Sequence, residues 1–132
     1  MRLVKNKEKY WEFIRKLRND PSVKGGFIEQ DDISVEQQVE YMSKYNDSYF
    51  ICLVGDNPAG YIGSMLQDIR LAVSPEYQRK GVGRFMLKKF MKIRPGAYAK
   101  VLLNNEPSKR LFESAGFSWT HSNDKFNYFV KR

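Results

Sequence analysis

Two glycines one residue apart, set between a short apolar strand and a helix, constrain this chain more than any other feature. The segment Leu71-Ala72-Val73-Ser74-Pro75-Glu76-Tyr77-Gln78-Arg79-Lys80-Gly81-Val82-Gly83-Arg84-Phe85-Met86-Leu87 reads as a strand, a turn opened by Ser-Pro, a basic loop and a helix. Gly81 and Gly83 carry no Cβ that would keep a ligand from the backbone. The amides of the loop and of the first helical turn then point outward at the positive end of the helix dipole. Such an arrangement binds phosphate or pyrophosphate, and Arg79, Lys80 and Arg84 add positive charge around it. An ordinary strand-to-helix turn reads the same way, so the loop alone does not fix a ligand.

The rest of the chain supplies an alternating frame for this unit. Residues 7–18 place Tyr10, Trp11, Phe13, Ile14 and Leu17 at helical spacing, and Asn19-Asp20-Pro21 ends that helix. Ser34 and Gln37 form a capping box that starts a second helix, running to about residue 45. Residues 48–54 and 59–65 read as strands around a Gly55-Asp56-Asn57-Pro58 turn, and residues 69–73 as a further strand. The helix after the glycine loop sets Val82, Met86, Phe90 and Ile93 on one face and stops at Arg94-Pro95-Gly96. A strand over 98–103 follows. Pro107 then suits the first turn of a helix and Gly116 its carboxy-terminal cap. Residues 117–120 and 126–130 read as a final hairpin, and Arg2-Leu3-Val4 as a short first strand.

Gln78-Arg79-Lys80-Gly81-Val82-Gly83 fits Q/R-x-x-G-x-G/A and resembles the pyrophosphate loop of the GNAT N-acetyltransferases, which bind acetyl-CoA. The segment from Ala99 to Phe117, with its strand, Asn104-Asn105, Leu111-Phe112 and Gly116-Phe117, is similar to that family's later signature. The two stand in the family's order and together cover residues 69–117. The resemblance implies an α/β fold: a twisted, mixed, mostly antiparallel sheet with helices on both faces, in one domain over residues 1–132. It also implies that the pantetheine arm of acetyl-CoA lies in a wedge between the fourth and fifth strands. Leu71, Ala72 and Val73 would pair with that arm through their backbones, and Val73 would help polarise the acetyl oxygen. Gln78, Arg79, Lys80, Gly81, Val82, Gly83 and Arg84 would hold the pyrophosphate, with Asn105 and Ser108 on the cofactor side.

The chemistry implied is direct attack of a free amine on the thioester carbonyl, for which orientation supplies much of the acceleration. Two side chains depart from the family. Phe112 stands where many relatives have a tyrosine acid, and Lys100 where some have a glutamate base. Asp68 is the remaining catalytic candidate, to orient the amine or act through a water; the competing reading is an exposed aspartate in a tight Gln67-Asp68 turn. Glu76 reads as a solvated loop residue. Tyr128 could replace the acid only if the last hairpin folds toward the thiol, and His121 reads as a surface loop histidine. Arg18 and Asn19 fall where acceptor-binding elements begin, unless Arg-Asn-Asp-Pro merely ends a helix. Residues 17–24 and 33–38 resemble a pattern shared by the amino-sugar and ribosomal-protein N-acetyltransferases.

Composition narrows the acceptor. Lys and Arg outnumber Asp and Glu by 23 to 15, a formal net charge of +8. Such a surface favours anionic partners, whether coenzyme A, a nucleotide-linked substrate or nucleic acid, although it also serves plain solubility. No helix shows a nucleic-acid recognition pattern. No apolar run approaches the ~20 residues that cross a bilayer, and the amino terminus lacks a signal-peptide pattern, so a cytoplasmic location is expected. Cys52 is the only cysteine and reads as core filling; with His121 the only histidine, no zinc site is expected. The expected acceptor is a small-molecule amine, led by a nucleotide-linked amino sugar, with a protein amine or polyamine next. A nucleic-acid-binding module and a cofactor-binding but inactive regulator are the remaining readings. The oligomeric state is not legible.

Overall fold

The computed structural model describes residues 1–27 and 31–131. Among them seven strands form one sheet: β1 (Arg2–Lys5), β2 (Tyr49–Val54), β3 (Asn57–Met65), β4 (Asp68–Val73), β5 (Tyr98–Leu102), β6 (Phe117–Ser122) and β7 (Phe126–Lys131). Their spatial order is β1-β2-β3-β4-β5-β7-β6. Every neighbouring pair is antiparallel except β4 and β5, which run parallel. The helices are α1 (Glu8–Asn19), α2 (Pro21–Lys24), α3 (Val35–Tyr45), α4 (Val82–Ile93) and α5 (Glu106–Ser114). The expected α/β architecture is the one found.

Local chemistry sets several of these boundaries. Gln37 N donates to Ser34 Oγ at 3.1 Å while Ser34 N donates to Gln37 Oε1 at 2.8 Å, so the capping box starts α3 as its sequence implies. Asp20 follows α1 and accepts from Ser22 N at 2.8 Å, which starts the short helix α2. The sequence signals at Asn19-Asp20-Pro21 the end of α1 but not this second helix. Strand β3 starts at Asn57, two residues earlier than expected, and takes in Pro58. A register shift between Cys52 and Leu53 admits the proline, which has no N–H for a regular ladder.

Helices cover both sheet faces. Under α4 and α5 lie Cys52, Ile62, Met86, Phe90, Phe112 and Phe129; under α1 and α3 lie Ile14, Leu17, Met42, Tyr49, Ile51 and Tyr61. Ile93 departs from its expected place on the buried face of α4 and is exposed. The buried stripe centres on Gly83, Met86, Leu87 and Phe90, which leaves Ile93 at its margin on the last turn.

Two corrections bear on the site. The β3–β4 turn is Leu66-Gln67, both with left-handed backbone (φ +51° and +67°). Asp68 is therefore the first residue of β4, opposite Met65 and buried, where an exposed turn residue was the competing expectation. His121 lies in β6 rather than in a loop, its ring stacked on Tyr128 at 4.5 Å.

Candidate active site

Strands β4 and β5 share one register pair, Asp68 with Tyr98, and Tyr98 N donates to Gln67 O at 2.8 Å. Beyond that pair they part. β4 stays with β3 over six register pairs, while β5 turns to follow β7 over five. The β5-facing edge of residues 69–73 thus has no strand partner among the described residues. A cavity of about 130 Å³ opens in this wedge.

Alternation along β4 gives the wedge two chemically different sides. Ile69, Leu71 and Val73 face the apolar core under α4, while Asp68 and Arg70 face the α1 side. On that side Lys100 reaches across from β5, its Nζ 3.8 Å from Asp68 Oδ2, with only 25% and 11% of the two side chains exposed. Arg18 enters from α1, its guanidinium carbon 5.6 Å from the Phe27 ring centroid; it makes no ion pair or hydrogen bond among the described residues. Among the described residues, three cations, Arg18, Arg70 and Lys100, and one carboxylate, Asp68, line the cavity.

Two phenols complete its floor. Tyr49 Oη lies 2.6 Å from Tyr41 Oη, and burial first, then Tyr41, pushes the Tyr49 phenol well above its ordinary range. Burial pushes Tyr61 up to about 12, against the opposing charges of Arg18 and Arg70. Both remain protonated hydrogen-bond donors at neutral pH. Tyr98, at the root of the wedge, is raised by burial and then by the charge of Asp68.

The glycine loop begins where β4 ends. A short 3-10 turn over Pro75–Tyr77 leads into it, and Gln78 Nε2 donates to Val73 O at 3.2 Å. Gly81 caps α4 with φ +84°, and a Cβ built on it would meet nothing within 4 Å, so the backbone there is open to a ligand. Gly83 differs from expectation. It is buried, and its Cβ would stand 3.0 Å from Leu111 Cδ2, so its missing side chain serves the packing of α5 on α4. Val82 is buried in the core, leaving its backbone alone to face outward. Arg79, Lys80 and Arg84 are exposed around the start of α4, as is Glu76. A strand edge with no strand partner among the described residues, an open backbone at Gly81 and three cations beside a helix N-terminus suit an extended arm that ends in a pyrophosphate.

The other expected residues divide. Asn105 caps α5 by accepting from Ser108 N at 3.2 Å, and its Nδ2 donates to Gly26 O at 3.3 Å. It thereby ties the segment after α2 to the far side of the wedge, where Ser108 and Phe112 also line the cavity. Asn19 does not reach the cavity. Its Nδ2 donates to Ile33 O and its Oδ1 accepts from Ile33 N, each at 2.8 Å, which occupies both polar atoms in holding the chain before α3. Tyr128 pairs with Lys100 on β5 but is covered by His121, and it does not line the cavity. Sequence reasoning missed Arg70, Tyr49, Tyr61 and Phe27. Arg70 was within reach, two residues from Asp68 on a strand; the tyrosines were not, because only the pairing register, Tyr61 opposite Ala72 and Tyr49 level with Arg70 through Gly63, brings them to the cavity.

The acetyltransferase (GNAT) family model matches residues 11–117. No curated protein matches the sequence. Among solved structures, the chain is similar to spermidine N-acetyltransferase from Vibrio cholerae in complex with CoA and spermine, at 17% identity and a TM-score of 0.78, covering 97% of this chain and 91% of that one. It is similar to ribosomal-protein-alanine N-acetyltransferase from Brucella melitensis at 12% identity and a TM-score of 0.81, covering 98% and 96%. A putative acetyltransferase from Salmonella typhimurium with its cofactor acetyl-CoA matches at 15% identity and a TM-score of 0.76, covering 97% and 91%.

Proposed function

From the premise that the chain belongs to the GNAT acetyltransferase family, we propose that it transfers an acetyl group from acetyl-CoA to a primary amine whose own scaffold carries an anionic group. The observation that carries this reading is the buried Asp68 carboxylate at the root of the wedge, set among Arg18, Arg70 and Lys100. The carboxylate accepts a hydrogen bond from the amine and orients its lone pair; Arg18 receives the anion, bidentately where it is a phosphate or carboxylate.

In the reaction the amine forms the new N–C bond at the thioester carbonyl, and the C–S bond breaks with its electrons on sulfur. The surplus proton on nitrogen leaves through Asp68 or water, and the thiolate takes one up. The free edge of β4 aligns the arm of acetyl-CoA, with the Val73 N–H toward the acetyl oxygen. The pyrophosphate lies on the backbone at Gly81 with Arg79, Lys80 and Arg84 around it. Phe112 supplies no proton, but a thiol of pKa about 8.5 leaves readily as thiolate, so the absence of an acid there is tolerable. Proximity carries most of the acceleration.

A nucleotide-linked amino sugar meets the acceptor requirement, its diphosphate falling toward Arg18, whereas a polyamine meets a field of its own sign. A protein amino terminus is the second reading, supported by the likeness of fold to the Brucella enzyme. Equal concentrations of a nucleotide-linked amino sugar, spermidine and acidic amino-terminal peptides, assayed by thiol release at low and moderate salt, separate these acceptors. The sugar nucleotide should turn over fastest, at a rate that falls with salt; preference for spermidine overturns the electrostatic reading. Asp68→Asn should lower kcat at least about tenfold at neutral pH with acetyl-CoA affinity unchanged, and full activity would remove Asp68 from the mechanism.

A further inference from the structure

A lone carboxylate is an awkward partner for an amine that must react as the free base. An opposite charge within ~4–6 Å favours the charged form by one to three pH units, so Asp68 alone would hold the acceptor as an ammonium that cannot attack. Lys100 alters that balance. Its Nζ lies 3.8 Å from Asp68 Oδ2 and sits over the Phe126 ring, 4.9 Å from the centroid.

We infer that Lys100 is a specificity-determining residue: its ammonium cancels the field of Asp68 on the incoming acceptor, so the site takes its amine as the free base and is matched to amines of low basicity. The inference rests on Asp68 meeting the amine. The remaining charges around the pair add to the effect. Arg70 on β4 and Arg18 on α1 line the same cavity and share the sign of Lys100. Tyr49 on β2, Tyr61 on β3 and Tyr98 on β5 are neutral phenols at working pH, each raised chiefly by burial. Beyond Tyr98, the rings of Tyr128 and His121 stack outward along β7 and β6, away from the cavity. Among the described residues no second carboxylate lines it. At pH ~7.5 roughly a third of an α-amine is already free base, against about one in a thousand of a lysine-type amine. A site that does not bind the ammonium therefore favours α-amines and others weakened by neighbouring groups.

The test compares two acceptors that each carry a carboxylate: alanyl-glutamate, with a weakly basic amine, and 6-aminohexanoate, with a strongly basic one. kcat and KM are measured against pH at saturating acetyl-CoA for the natural protein, Lys100→Met, Lys100→Arg and Asp68→Asn. Met keeps an unbranched side chain of similar length and removes the charge; Arg keeps the charge. In Lys100→Met the ammonium should bind unproductively. For 6-aminohexanoate at neutral pH, kcat and KM should then fall together by about tenfold, and the acidic limb of kcat should rise by about one pH unit. The acidic limb of kcat/KM, which reports the free acceptor and free enzyme, should stay in place. Lys100→Arg should keep the natural profile. An unmoved kcat limb in Lys100→Met that still binds acetyl-CoA, or an Arg variant with a raised limb, overturns the inference. Should Lys100→Met not fold, the Arg profile decides alone. The underlying reading fails separately: Asp68→Asn with unchanged kcat removes Asp68 from contact with the amine whatever Lys100 does, as does absence of turnover with every amine.

Discussion

A Cβ on Gly83 would stand 3.0 Å from Leu111 Cδ2, so the leucine side chain would have to give way by a few tenths of an ångström. The two glycines of the loop thus have different jobs, and valine at each should separate them. Gly83→Val should cost about 1–3 kcal/mol through overpacking and lower Tm by several degrees. Gly81→Val should cost about 1–2 kcal/mol for a side chain in left-handed backbone, and should weaken acetyl-CoA binding at least about tenfold because the new side chain stands on the open face of the loop. Thermal unfolding and calorimetry with acetyl-CoA read the two effects. Equal loss of affinity in a well-folded Gly83→Val would return that glycine to the ligand.

Asn105 offers a similar separation within one side chain, since its oxygen caps α5 and its amide nitrogen holds Gly26. Asn105→Asp keeps the cap and loses the donor; Asn105→Ala loses both. The aspartate variant should keep natural stability while KM for the acceptor rises several-fold. The alanine variant should also lose about 1 kcal/mol. Urea unfolding beside acceptor kinetics checks the pair.

Buried phenols fix an alkaline limit on stability. Tyr61 titrates near 12 in the folded chain against an ordinary value of 10.0. Below pH ~10 both folded and unfolded chains keep the proton, and the contribution is fully present. Between about 10 and 12 only the unfolded chain releases it, so stability falls as pH rises, by up to about 1.4 kcal/mol per pH unit for each such tyrosine. Tyr49, raised further, acts in the same direction. Urea midpoints should decline above pH ~10, with phenolate absorbance appearing only as the chain unfolds, and Tyr49→Phe should make the decline shallower.

Leu66 is 95% exposed in left-handed backbone at the β3–β4 turn. Asparagine accepts that conformation far better, and no packing is lost with the leucine. Leu66→Asn should raise stability by about 0.5–1 kcal/mol, read as a higher Tm with unchanged kinetics.

That same turn shows where the sequence stops being legible. The capping box at Ser34, the strand-loop-helix at Gly81 and the proline start of α5 are local signals, written within a few residues, and each is found where expected. The burial of Asp68 depends instead on a two-residue turn whose residues, Leu and Gln, do not announce left-handed backbone. The placement of Tyr49 and Tyr61 along the same cavity as Asp68 depends on strand register, which no neighbour in sequence records. Arg18 and Asn19 are expected together where the resemblance sets the start of the acceptor-binding elements, yet on a helix consecutive residues point about a quarter-turn apart. One faces the cavity and the other faces Ile33.

Two side-chain clamps, Asn19 on Ile33 and Asn105 on Gly26, fasten the chain on either side of the stretch between Gly26 and Ile33. Neither clamp uses a sheet hydrogen bond. The chain at Gly26 and at Ile33 is consequently held by two replaceable side chains and not by the ladder, so either hold can be loosened by one substitution while the sheet and the glycine loop stay as they are.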